Sequence, residues 1–152
     1  MTKIKLFVSL KTPDKTGITT FHTLERLGYK ELKKLEREDY YEFVVLKDTE
    51  KFMKDIIKTD ILVNANKHAA EIYKSEEVPK EGPISVLVKD SGDNAAGLLE
   101  TLRERMGFID IESMSKGVLW KMHIDAENKK EIAEKITKDL LYNEHYQEFE
   151  II

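Results

Sequence analysis

Four histidines, His22, His68, His123 and His145, are the side chains of this sequence best suited to proton transfer or metal ligation. Their spacing serves neither. No two stand in an HxH or HxxxH arrangement, and no carboxylate lies at a metal-motif distance from any of them. The chain has 0 cysteines, which removes thiolate nucleophiles, cysteine zinc ligands and disulfides together. It contains no P-loop, no GxGxxG and no GxSxG, and nothing marks a nucleophile with a base to activate it. In "KDSGDNAAG", Gly92 and Gly97 precede a helix, where backbone amides would face an anion, but the same geometry serves an ordinary strand-to-helix turn. The expectation is a chain with no catalytic residues of its own, no cofactor and no metal. Each histidine reads as a surface or turn residue.

Charge excludes further classes. The 25 basic and 29 acidic residues give a net charge of −4, interleaved as in "LKKLERED" and "ENKKEIAEK". That is a solvated face and not the basic stripe of a nucleic-acid binder. No apolar run approaches the ~18–20 residues that span a bilayer, and "MTKIKLFVSLK" alternates lysines with hydrophobics where a leader would be apolar. A cytoplasmic, soluble protein with neither nucleic acid nor membrane as partner is expected.

The elements that would position any site are written twice. With Gly28 laid on Gly107, an offset of 79, "LGYKEL" falls on "MGFIDI", "DYYEFVV" on "VLWKMHI" and "DILVNANKHAAEIY" on "DLLYNEHYQEFEII". Asp60/Asp139, Leu62/Leu141, Asn64/Asn143, Glu71/Glu150 and Ile72/Ile151 are among the identical pairs. His145 falls on Asn66 and His68 on Gln147, swaps that a duplicated metal site would not tolerate. Upstream, a one-residue shift sets Leu6, Val8 and Leu10 on Ile84, Val86 and Val88.

Within each copy the pattern is strand–helix–strand–strand–helix–strand. Ile4, Leu6, Val8 and Leu10 alternate as a half-buried strand. "TPDKTG" is turn chemistry, and Ile18, Phe21, Leu24 and Leu27 follow at helical spacing until Gly28 stops the helix. Leu32 and Leu35 belong to a second strand, and Tyr41, Phe43 and Val45 to a third. A helix from Thr49 turns Met53, Ile56, Ile57 and Ile61 inward and ends near Asn64 in a left-handed cap, before a strand at Ala70 to Tyr73. Copy two places Leu99, Leu102 and Met106 on its first helix, and Ile132, Ile136 and Leu140 on a second opened by an Asn128/Glu131 capping box. "KSEEVPKEGP" joins the copies. The boundaries are therefore 1–74, a linker at 75–83, and 84–152.

The fold class expected is α+β: two tandem ferredoxin-like (βαββαβ) repeats with antiparallel sheets, forming an intrachain pseudo-dimer. Helices would cover one sheet face and leave the other bare, carrying aromatics such as Tyr40, Tyr41 or Trp120 and inviting further association into a homo-oligomer, a dimer of tandem chains.

Copy one, "KLFVSLKTPDKTGITTFHTLERLGYKELKKLEREDYYEF", resembles the PurS small subunit of phosphoribosylformylglycinamidine synthase. Asp14 and Gly17 match that family's "DPxG" turn, Leu27-Gly28-Tyr29 its helix end, and Tyr41-Glu42-Phe43 its "KYFEL"-like strand. The family's ending, close to "LLANPVIEDYEIE", is similar to "ILVNANKHAAEIY" and more so to "LLYNEHYQEFEII". The resemblance implies a non-catalytic subunit that bridges an ATP-dependent synthetase (PurL-like) and a glutaminase (PurQ-like) in de novo purine biosynthesis and assists ammonia transfer. Asp14, Gly17, Tyr40, Tyr41 and Trp120 become the candidate partner-contact or turn residues.

An ACT-like pair of regulatory modules is the alternative. "DKTG" and "GFIDIES" are similar to that family's "DxPG" turn and "NIxSI" strand. This likeness implies an amino acid bound near the first turn, with Asp14, Gly17 or Asp93 to Gly97 contributing. An acylphosphatase-like enzyme would need an arginine in the first loop, and neither first loop has one.

Overall fold

A computed structural model describes residues 1–79, 82–92 and 95–152. The first half of the chain forms β1 (Thr2–Leu10), α1 (Lys15–Arg26), β2 (Leu32–Val45), α2 (Thr49–Ile56) and β3 (His68–Lys74). The second forms β4 (Ile84–Asp90), α3 (Ala96–Glu100), β5 (Ile111–Ile124), α4 (Lys129–Ile136) and β6 (Gln147–Ile151). α3 and α4 each run into a turn of π-helix, at Thr101–Arg105 and Thr137–Leu141. The six strands make one antiparallel sheet in the order β3-β1-β2-β5-β4-β6, so the α+β class holds.

The turn expected between a second and a third strand is absent. Leu32–Val45 is a single strand of 14 residues, and so is Ile111–Ile124. The sequence explains this: neither stretch holds a proline or asparagine, and only Gly117 interrupts them. In β2, Leu35, Tyr41, Phe43 and Val45 share one face by alternation, with Arg37 and Asp39 between them in the same row.

Pairing also corrects the alignment of the first strands. Ile4 lies opposite Phe43 on β2, and Ile84 lies opposite Met122 on β5. Phe43 and Met122 are equivalent at the offset of 79, so Ile4, Leu6 and Val8 correspond to Ile84, Val86 and Val88. The expected register was two residues away. A two-residue slip leaves every side chain on its own face, so hydrophobic alternation fixes the face but not the register.

The chain packs as two compact units, each drawing on both halves of the sequence. One contains β1, the end of β2 from Asp39, α2, β3, α3 and the start of β5 through Lys116. Its core joins Ile4, Leu6, Val8, Phe43 and Ile56 to Leu102, Ile111 and Met114. The other contains α1, the start of β2 through Glu38, β4, β5 from Gly117, α4 and β6. Its core joins Leu24 and Leu32 to Val86, Trp120, Met122 and Ile136. The first helix of each half thus packs in the unit built on the other half's outer strands.

Helix faces differ from expectation where the backbone departs from an α-helix. The π-turn at Thr137–Leu141 adds a residue to the last turn, so Leu141 packs on the core and Leu140 is exposed. Met106 turns out to solvent after the first π-turn in the same way. Ile18, Leu27 and Ile61 are exposed. α1 buries Gly17 and Leu24, and α2 ends at Ile56, before Ile61. The Asn128/Glu131 capping box does not form: Asn128 Nδ2 donates to the Glu131 carboxylate (3.4 Å), and no side chain caps the helix amides.

Candidate functional site

Asp14 opens α1. Its Oδ1 accepts from the Thr16 amide at 3.1 Å, the side-chain cap that aspartate provides at a helix start. The same carboxylate receives a fork from Arg37 on β2, Nε to Oδ2 at 2.9 Å and a terminal nitrogen to Oδ1 at 3.1 Å. The guanidinium carbon stands 6.0 Å from the centre of the Trp120 ring, within reach of the ring's negative face. Gly17 is buried on α1 with Asp14 Oδ2 3.4 Å from where a Cβ would sit. Asp14, Gly17 and Trp120 therefore come together, and Arg37 joins them. Arg37 went unnoticed in the sequence although it stands in the core-facing row of β2, where a charge needs a partner.

Tyr40 and Tyr41 lie on opposite faces of β2. Tyr41 packs against the core of its unit, and Trp120, 7% exposed, belongs to the core of the other. Tyr40 is on the helix-free face but is only 1% exposed. Its ring meets Phe7 edge-on at 5.7 Å, and its hydroxyl donates to Glu42 Oε2 at 2.5 Å. In the other unit Leu87 and Leu119, paired across β4 and β5, are buried in the equivalent place. The expected bare face with exposed aromatics is thus corrected: its central side chains are covered.

Two polar side-chain pairs flank that face in the second unit. His123 Nε2 is 2.7 Å from Glu36 Oε1, and Lys121 Nζ is 2.5 Å from Glu38 Oε1. The Lys121 contact is one of charge, without a well-aligned hydrogen bond at that oxygen. The bond from His123 holds the Glu36 carboxyl below the usual range, opposed by partial burial and helped by Lys34. At the loop after α1, the Tyr29 hydroxyl donates to Asp139 Oδ2. Burial first, then that bond and the aspartate's charge, push the Tyr29 phenol up to about 12.

The histidines of the two chain ends are explained by a turn built twice. After α2, the Asn66 amide donates to Asn64 Oδ1 at 3.0 Å, and the Asn64 amide donates to His68 Nδ1 at 3.0 Å. After α4, the His145 amide donates to Asn143 Oδ1 at 2.9 Å, and the Asn143 amide donates to Gln147 Oε1 at 2.9 Å. His68 and Gln147 do the same job as acceptors. The asparagine acts through its side chain, an Asx-turn, and not through a left-handed backbone: Asn64 is absent from the positive-φ residues. The second turn lines a surface cavity of about 800 Å³ with Leu141, Tyr142, His145 and Tyr146.

Among the described residues no group of three or more histidine, aspartate or glutamate side chains comes together to hold a metal ion. No described helix is long and apolar enough to cross a membrane. Asp93, named with the alternative ligand site, lies outside the described residues. No family model matches the chain, and no curated protein matches it.

Proposed function

We propose that this chain is a non-catalytic, PurS-like subunit of a phosphoribosylformylglycinamidine synthase complex, bridging the ATP-dependent synthetase and the glutaminase and assisting ammonia transfer in purine biosynthesis. The observation that carries the reading is the duplicated ending. Helix end, Asx-turn and edge strand occur at Asn64–Lys74 and again at Asn143–Ile151, on the residues whose sequence resembles that family's ending. Each unit, with four strand segments and two helices, reads as a ferredoxin-like module completed by exchange. The chain is then an intrachain pseudo-dimer of repeats 1–74 and 84–152, itself able to associate as a dimer of tandem chains. Joining the copies makes their pairing independent of concentration as long as the chain stays well below the effective concentration of a tethered half.

A role exercised through surfaces suits side chains that are engaged with one another. The ACT-like alternative would draw on Asp14 as a ligand group, whereas its carboxylate already holds Arg37 and the Thr16 amide. The test is reconstitution. Purified chain is mixed with separately purified synthetase and glutaminase subunits of this complex, and assembly and glutamine-dependent amidine formation are followed. Co-elution and restored activity are expected. Failure to bind either subunit would overturn this reading, and a thermal shift with a single amino acid and none with the glutaminase would favour the ACT-like one.

A further inference from the structure

The residues that join the two halves of the chain are not interchangeable between them. At the offset of 79, Glu36 corresponds to Ser115, Glu38 to Gly117, Glu42 to Lys121 and Val44 to His123. The observed pairing sets Glu36 of the first half on His123 of the second, and Glu38 on Lys121, the two contacts running in opposite senses along adjacent antiparallel strands. If two first halves paired in the same way, Glu36 would meet Val44 and Glu38 would meet Glu42. The second combination sets two carboxylates together where the native one has an ion pair. Two second halves would set Ser115 against His123 and Gly117 against Lys121, so neither would meet the carboxylate it meets in the native pairing.

We propose that the two halves form a heterotypic pair, each specified as the partner of the other and disfavoured with itself, and that a second copy of the chain supplies the same complementary half when it outcompetes the internal one. The contacts that complete each unit lie between halves: Leu24 and Leu32 with Trp120 and Met122 in one core, Leu102 and Met114 with Leu6 and Phe43 in the other. Nothing in them requires both halves to come from one polypeptide. The partner this surface fits is the opposite half of another copy, joined by reciprocal exchange into a closed dimer. Internal closure prevails until the chain concentration approaches the effective concentration of a tethered half, on the order of 1 mM.

The 0 native cysteines make this measurable by cysteine cross-linking in the full chain. Glu36→Cys/His123→Cys, joined by a short bis-maleimide because the observed contact is between side-chain ends, reports heterotypic pairing. Glu36→Cys/Val44→Cys reports pairing of two first halves, because those positions are about 26 Å apart along one strand and cannot be joined internally by that reagent. Each variant is unfolded, refolded at ~10 µM and at ~1 mM, cross-linked, and resolved under denaturing conditions. The first variant should close internally and remain monomeric at the lower concentration, and give at least several-fold more linked dimer at the higher. The second should give no linked dimer at either. The proposal is overturned if the first variant does not close internally, if its dimer fraction does not rise with concentration, or if the second variant dimerises as readily. Should the substitutions on β2 or β5 prevent folding, Tyr29→Cys/Asp139→Cys, with Tyr29→Cys/Asp60→Cys as its like-with-like control, asks the same question away from those strands and is read by the same outcomes.

Discussion

Replacing Arg37 by methionine tests how the first helix is held. The substitution keeps an unbranched stem beside Trp120 and removes two charge-assisted hydrogen bonds to Asp14. The side chains of Arg37 and Asp14 are 31% and 21% exposed, between a surface pair, worth ~0–1 kcal/mol, and a buried one, where breaking costs ~3–5 kcal/mol. The orphaned carboxylate keeps its Thr16 bond and gains water, so losing the fork costs about 1–1.5 kcal/mol. Losing the guanidinium over Trp120 adds about 0.5–1 kcal/mol. The sum is about 2 kcal/mol, or a fall in Tm of roughly 4–8 °C for a chain of this size. Thermal melts of Arg37→Met, Arg37→Lys, Asp14→Asn and the Arg37→Met/Asp14→Asn double variant separate the parts. Lysine keeps the charge but not the fork, so it should recover less than half of the loss. Asparagine caps well, so Asp14→Asn should cost mainly the ion pair, and the double variant should lose less than the two single ones combined. A loss below ~0.5 kcal/mol for Arg37→Met, or additivity in the double variant, would refute the account.

Gly117→Ala places a Cβ 2.7 Å from the Val88 carbonyl oxygen, backbone that cannot swing aside; a loss of about 1–3 kcal/mol is expected in urea unfolding. Gly97→Ala, on α3 with no atom within 4 Å of the new methyl, should instead stabilise by about 0.5–1 kcal/mol. His68→Gln should be neutral, because Gln147 performs the same acceptance, whereas His68→Ala should cost about 0.5–1.5 kcal/mol and raise amide exchange at Asn64. The Tyr29 phenol is raised in the folded state, so its contribution is present in full below about pH 10 and is lost as pH rises through about 12. Phenolate absorbance should lose part of its late-titrating amplitude in Tyr29→Phe, the remainder including Tyr41, whose phenol is also raised by burial; a titration curve unchanged by that substitution would dismiss the assignment.

What the sequence made legible was what one strand or one helix decides alone. Alternation at Ile4, Leu6 and Val8 gave the buried face of β1, and helical spacing gave Leu24 as a buried residue of α1, although the stretch read as turn chemistry, "TPDKTG", runs into the helix, which starts at Lys15. Register was hidden, because a shift of two residues preserves that face. The π-turns were hidden too: Leu140 and Leu141 are both leucine, and only the extra residue in the turn decides which packs. The amphipathic pattern of α1 shows that Leu24 must be buried but not in which unit. The exchange of helices between halves therefore left no trace in periodicity. The expected exposure of Tyr40 failed for a related reason. Alternation puts it opposite the helices, and the edge-on contact with Phe7 depends on β1 lying alongside.

The distribution of identities between the two halves of the chain has a physical explanation. Gly28 and Gly107 both take positive φ, 98° and 81°, at the ends of the first helical segments, and Asn64 and Asn143 both build an Asx-turn. These tasks are completed within one half, so the same residue solves both copies. Positions that face the other half obey a different rule. There, residue i of one copy meets a residue that is not its own equivalent, so the two copies can diverge provided that contacts change together. Glu36 with His123 and Glu38 with Lys121 have such counterparts in Ser115 with Val44 and Gly117 with Glu42. Asp60 and Asp139 mark the boundary between the two regimes. The residue is the same, but Asp139 accepts from Tyr29 while the position equivalent to Tyr29 is Phe108, which has no hydroxyl and packs edge-on against Phe52 at 5.8 Å. The two halves of the chain share residues where a task is completed within one half and differ in complementary fashion where one half meets the other.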